Sequence, residues 1–72
     1  MSTIAILTTT DSRDEARTIA AALVERKLAA CVQISEVESV YTWQGAIQNS
    51  GEFQLLIKTT RDCYAGVEAA IL

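Results

Sequence analysis

Ser12–Ile34, SRDEARTIAAALVERKLAACVQI, is the stretch in which the apolar residues change their period. Ala16, Ile19, Ala20, Leu23 and Val24 recur at spacings of three, one, three and one, the stripe of a helix that covers a sheet. Arg13, Arg17, Glu25 and Arg26 fall off that stripe. Ser12 and Glu15 match the S-x-x-E capping box, and Asp14 and Glu15 suit the positive end of a helix dipole. The pattern predicts a helix over residues 12–27. From Leu28 the period shortens towards two, with Ala30, Val32 and Ile34 on one face and Cys31, Gln33 and Ser35 on the other, which predicts a strand over 28–34.

Working outward, Thr3–Thr9 (TIAILTT) is β-branched and almost continuously apolar, as in a strand buried on both faces. Ser35–Ser39 carries Glu36 and Glu38 and is expected to bend or bulge away from the strand as solvated loop. Val40–Trp43 resumes strand character, and Gly45 suggests a bulge or a close backbone approach. Gln48-Asn49-Ser50-Gly51 is the densest turn signal and is expected to reverse the chain into Phe53–Thr59, a strand with Phe53, Leu55, Ile57 and Thr59 inward. Arg61-Asp62 opens a second helical pattern, with Tyr64, Val67 and Ile71 as its stripe. The order βαββα lacks one strand of the α+β, ferredoxin-like split βαβ arrangement, so residues 1–72 are read as a single domain incomplete at its C-terminal end. In that arrangement the first strand lies inside the sheet, between the third and the missing fourth.

Composition narrows the chemistry. The chain has no histidine, the commonest general base and metal ligand, and no proline. Its net charge is −3 and its six Lys and Arg are spread out, which disfavours a nucleic-acid partner. No apolar run approaches the roughly 20 residues of a membrane span. No basic segment followed by an apolar one opens the chain, so a cytoplasmic location with Cys31 and Cys63 as reduced thiols is expected. Phosphate-binding glycine loops and Ser–His–Asp arrangements are absent, and no enzymatic activity is expected.

Three stretches, Glu25–Val32 (ERKLAACV), Ser39–Ile47 (SVYTWQGAI) and Glu52–Thr60 (EFQLLIKTT), in this order and spacing resemble the CutA divalent-cation-tolerance proteins. The resemblance implies a ferredoxin-like fold related in shape to the PII signalling proteins. It also implies a homotrimer with sheets joined edge to edge, and a role in tolerance of copper and other divalent cations. The copper ligands proposed for the family carry over poorly. A family cysteine at the end of the first strand falls at Thr8, whose hydroxyl is a poor ligand for a borderline ion, and the family histidines lie beyond the second helix.

Tyr41 and Trp43 share a strand face and suit packing, within the subunit or across a subunit interface, or the wall of a ligand cleft. Lys58 could hold an anion at such a cleft or form a salt bridge; Glu52 and Lys58 are expected on opposite strand faces and hence unpaired. Cys31, Glu36 and Glu38 are the candidate metal ligands. For Cys31 a small buried hydrophobe is the favoured reading, and for Cys63 an incidental, partly exposed thiol. Two further functions stay open: a small-molecule sensor, as in PII-like and ACT-like modules that share this fold, and, on the trimer that the resemblance implies, a scaffold for partner proteins.

Overall fold

The computed structural model describes residues 2–72. The elements run β1 (Thr3–Thr10), α1 (Arg13–Glu25), β2 (Cys31–Trp43), β3 (Ala46–Thr60), a single 3-10 turn (Arg61–Cys63) and α2 (Tyr64–Ile71). The three strands form one antiparallel sheet in the order β1-β3-β2. β1 and β2 therefore run parallel with β3 inserted between them and α1 as the crossover, the split βαβ unit. This bears out the expected α+β, ferredoxin-like architecture.

α1 starts where its sequence says it should. Ser12 is extended (φ −132°, ψ 146°), and its Oγ accepts the Glu15 N–H at 3.0 Å. The helix ends in a Schellman motif: Lys27 N–H donates to the Val24 carbonyl at 3.0 Å and Leu28 N–H to the Leu23 carbonyl at 2.9 Å. The residue at the left-handed position is Lys27, with φ 58°. A side chain there costs about 1 kcal/mol relative to glycine. Lys27→Gly should accordingly raise stability by about 1 kcal/mol and the melting temperature by about 4–8 °C, read by circular dichroism.

α1 and α2 cover one face of the sheet, the inner face. Ala16, Leu23, Leu55, Ile57 and Val67 are wholly buried there, with Ile6, Ile19, Val32, Ile34 and Phe53 packed around them. Each large side chain so buried contributes about 1.5–3 kcal/mol. Thr59, 4% exposed, also points inward, and its hydroxyl donates to the Leu28 carbonyl, tying the loop after α1 to β3. Thr59→Val keeps the shape but leaves that carbonyl without its side-chain donor. It should cost about 1–3 kcal/mol in thermal or urea unfolding.

Several expectations change. β1 is not buried on both faces: Ile4, Ile6 and Thr8 point inward, while Leu7 on the outer face is 62% exposed, because both helices lie on the inner side. Val24 and Tyr64, assigned to helix stripes, are each 45% exposed. The Tyr64 hydroxyl donates to a Glu68 carboxylate oxygen at 3.0 Å, and that bond and charge hold the phenol above its usual value of 10.0. The strand expected from Leu28 begins at Cys31, since the Schellman motif occupies Lys27 and Leu28.

The reversal between β2 and β3 lies at Gln44-Gly45, not at Gln48–Gly51. Gln44 and Gly45 take φ 50° and 79°, the doubly positive pair of the tight hairpin turn whose twist matches its strands. Gly45 is thus the turn residue and not a bulge. Gln48 and Gly51 pair instead with Tyr41 and Glu38 in an unbroken ladder. For the same reason Ser35–Ser39, with Glu36 and Glu38, is strand and not loop.

β1 pairs with β3 only over Phe53–Thr60, whereas β2 pairs with it from Ala46 to Lys58. Val37–Trp43 and Ala46–Glu52 thus continue past β1 as a two-stranded arm. Seven residues of strand reach about 23 Å, in keeping with overall dimensions of 44 × 24 × 18 Å.

Candidate functional site

Strand parity and register divide the candidate residues between the two faces of the sheet. Directly paired residues project to the same side. On the outer face, Lys58 stands between Ala5 of β1 and Cys31 of β2, Leu56 lies beside Leu7 and Gln33, and Glu52 beside Val37. Further along the arm, Tyr41 pairs with Gln48, and Trp43 with Ala46.

Glu52 and Lys58 therefore share a face, contrary to expectation, since an even separation on an unbroken strand returns to the same side. Six residues nevertheless place them about 20 Å apart, beyond any ion pair. Among the described residues no carboxylate lies within 4.0 Å of Lys58; the ion pair found is Arg13–Glu36.

The outer face is uncovered. Trp43 is 63% exposed and Tyr41 46%, so neither is packed within the chain, and both join Leu7 on the same side. Val40 and Ile47 project from the opposite side of the arm and are also exposed. An isolated two-stranded hairpin is marginally stable in water. The arm thus exposes large apolar side chains on both sides, Tyr41 and Trp43 on one and Val40 and Ile47 on the other. Cys31 is exposed on this face, which corrects its reading as a buried hydrophobe, because the sheet has no second layer over that side. Cys63 is partly buried, as expected.

The candidate metal ligands do not converge. Cys31 is on the outer face, whereas Glu36 and Glu38 are on the inner face, Glu36 at the start of α1 and Glu38 further along, in the arm. Glu36 already meets Arg13, with Nη2 to Oε2 at 3.4 Å, and the Arg13 guanidinium stacks 4.8 Å from the centre of the Phe53 ring. No group of three or more His, Cys, Asp or Glu side chains among the described residues is arranged to hold a metal. Thr8 faces inward beside Leu55, on the opposite face from Cys31 and with β3 between it and Glu36 and Glu38. The residues of one chain thus do not fit a divalent cation.

Two features escape sequence reading. The Arg13–Glu36–Phe53 contact joins the start of α1 to the sheet across separations that no local pattern signals. A cleft of about 410 Å³ opens where the loop after α1 meets the C-terminal end of β3.

Split βαβ topology, helices on one face only and a projecting hairpin define a ferredoxin-like α+β protein. Within that class the match is specific: residues 4–72 fit the family described as "CutA1 divalent ion tolerance protein". The divalent-cation tolerance protein CutA of Thermus thermophilus is 48% identical over 60 residues, covering 82% of this chain and 58% of that one. The crystal structure of CutA1 from the psychrotrophic bacterium Shewanella sp. SIB1 superposes with a TM-score of 0.89 at 44% identity, over 97% of this chain and 66% of that one. CutA from Synechococcus elongatus PCC7942, solved in complex with a Bis-Tris molecule, gives 0.84 at 36% identity, over 97% and 70%. The chain belongs to the CutA1 divalent ion tolerance family. It spans 58% of the length of the Thermus relative.

Proposed function

We propose that this chain acts in divalent-cation tolerance as a non-enzymatic binding protein of the cytoplasm. Its copies assemble as a homotrimer through the outer sheet face and the hairpin arm. A divalent cation, copper among them, or a small ligand is taken up between subunits. The observation that carries this reading is the arm itself, a two-stranded extension bearing exposed Tyr41, Trp43, Val40 and Ile47. Such a surface is stabilised by burial against another copy. Because Cys31, Glu36 and Glu38 do not converge within one chain, a bound cation would draw its ligands from more than one subunit. The Bis-Tris complex of the Synechococcus relative supports a small-molecule site in that protein, and by extension in this family member.

Calorimetric titration of the purified chain with copper(II) and with zinc, at a concentration where sedimentation shows the trimer, tests the cation part. Saturable heat is expected. No saturable heat at micromolar protein would overturn it. A rise in melting temperature with nucleotides or metabolites, and none with metals, would favour the sensor reading instead.

A further inference from the structure

The hairpin arm joins the body of the molecule at one row of the sheet. Thr10 of β1, Phe53 of β3 and Glu36 of β2 stand side by side there on the inner face, and this is the last row in which all three strands pair. From Val37 and Glu52 onward two strands continue without β1. Val40 and Ile47 are exposed on the inner side of the arm, so no helix covers it there. A two-stranded ribbon without a third strand or a covering helix is only marginally stiffened, which makes this row the place where the arm can swing against the body.

Arg13 spans that row. Its guanidinium meets Glu36, Nη2 to Oε2 at 3.4 Å, and lies 4.8 Å from the centre of the Phe53 ring. One side chain of α1 therefore touches both strands of the arm at their root. Its own position is locally unfavourable, because Arg13 is the first residue of α1, where the helix dipole disfavours a cation. The compensation comes from the sheet. Residues 36–52 hold the carboxylates of Glu36, Glu38 and Glu52 and no Lys or Arg, so the arm and its root attract a cation placed beside them. We propose that Arg13 is a latch on the arm. Engaged with Glu36 and Phe53 it holds the arm at one angle to the sheet, and released it lets the arm swing about Glu36–Val37 and Glu52–Phe53. An exposed ion pair and an exposed cation–π contact together favour the latched position about fivefold. The latch is contained in one chain; its use, presenting Tyr41 and Trp43 at the angle association needs, rests on the trimer proposed above.

The test compares Arg13→Ala and Glu36→Gln with the parent chain and with Arg17→Ala, which removes a cation of the same helix that has no ion pair among the described residues. All carry Trp43→Glu, a charge at the exposed end of the arm, so that no neighbouring copy steadies it. Amide residual dipolar couplings of sheet and arm should fit one alignment in the parent and in Arg17→Ala. In Arg13→Ala and Glu36→Gln the couplings of the arm alone should shrink. Should the Trp43→Glu chain not fold by itself, sedimentation equilibrium with Trp43 in place reads the same latch. Arg13→Ala and Glu36→Gln should each weaken the trimer about fivefold through lost pre-organisation, and the double variant no further than either. An arm that still aligns with the sheet in Arg13→Ala, or one loosened as much by Arg17→Ala, would overturn the proposal, as would an Arg13→Ala trimer as tight as the parent. A parent chain that sediments as a monomer would sink the trimer and not the latch, which the couplings then read directly.

Discussion

Leu23→Ala is expected to lower the unfolding free energy by about 2–5 kcal/mol, whereas Val24→Ala, one residue further on, should change it by less than about 1 kcal/mol. Leu23 is wholly buried among Ala16, Leu55, Ile57 and Val67, and its carbonyl accepts the N–H groups of Leu28 and Ala29 at the helix end. Truncation leaves a cavity that these neighbours cannot fill without moving the strand or the second helix. Val24 is 45% exposed and loses only part of its contacts. A core this small rarely supplies more than about 3–5 kcal/mol of net stability, so the Leu23 loss is a large fraction of the whole. Urea unfolding followed by circular dichroism compares the pair. Equal costs for the two variants would sink the assignment of the helix's buried side.

The second large effect is expected at the arm. If the chain forms the trimer proposed above, Trp43→Glu should dissociate it, weakening it at least about a hundredfold, while leaving the fold of each chain intact. The indole is 63% exposed within one chain, so the substitution removes little internal packing. In an interface core the same change replaces an aromatic anchor by an unpaired charge, a loss of about 3 kcal/mol or more. Sedimentation velocity reads the mass, far-UV circular dichroism the fold, and Arg17→Glu on the exposed side of α1 serves as the control that should change neither. Trp43→Glu sedimenting like the unsubstituted protein would remove the arm from the interface.

Local elements are legible in the sequence to the extent that they depend on near neighbours. The Ser12 cap, the inward set Phe53, Leu55, Ile57 and Thr59, and the order of five elements all follow from period and capping chemistry. Composition misplaces the hairpin turn because Asn49-Ser50-Gly51 is richer in turn residues than Gln44-Gly45, and composition does not report register. Pairing over thirteen residues of each strand outweighs the turn preference of a few. The expected bend at Glu36 and Glu38 gives way to the same ladder.

The candidate site is legible only as residue types. Parity places Tyr41 and Trp43 on one face, but their exposure depends on where the helices lie. Cys31 has the composition of a buried position and becomes exposed because no layer covers the outer face. The cleft between the loop after α1 and the C-terminal end of β3 brings together residues far apart in sequence, and no short-range pattern encodes it.

By itself the sequence determined the order of strands and helices, the side each strand turns inward along Phe53–Thr59, and, through three spaced stretches, the family. Those properties reside in side-chain period, capping and motif spacing, which act over a few residues. The tertiary structure decided the hairpin's turning point, the open face carrying Leu7, Cys31 and Lys58, and the separation of Cys31 from Glu36 and Glu38. These depend on strand register and on which side of the sheet the helices pack, and both are settled by the summed burial of residues distant in the chain.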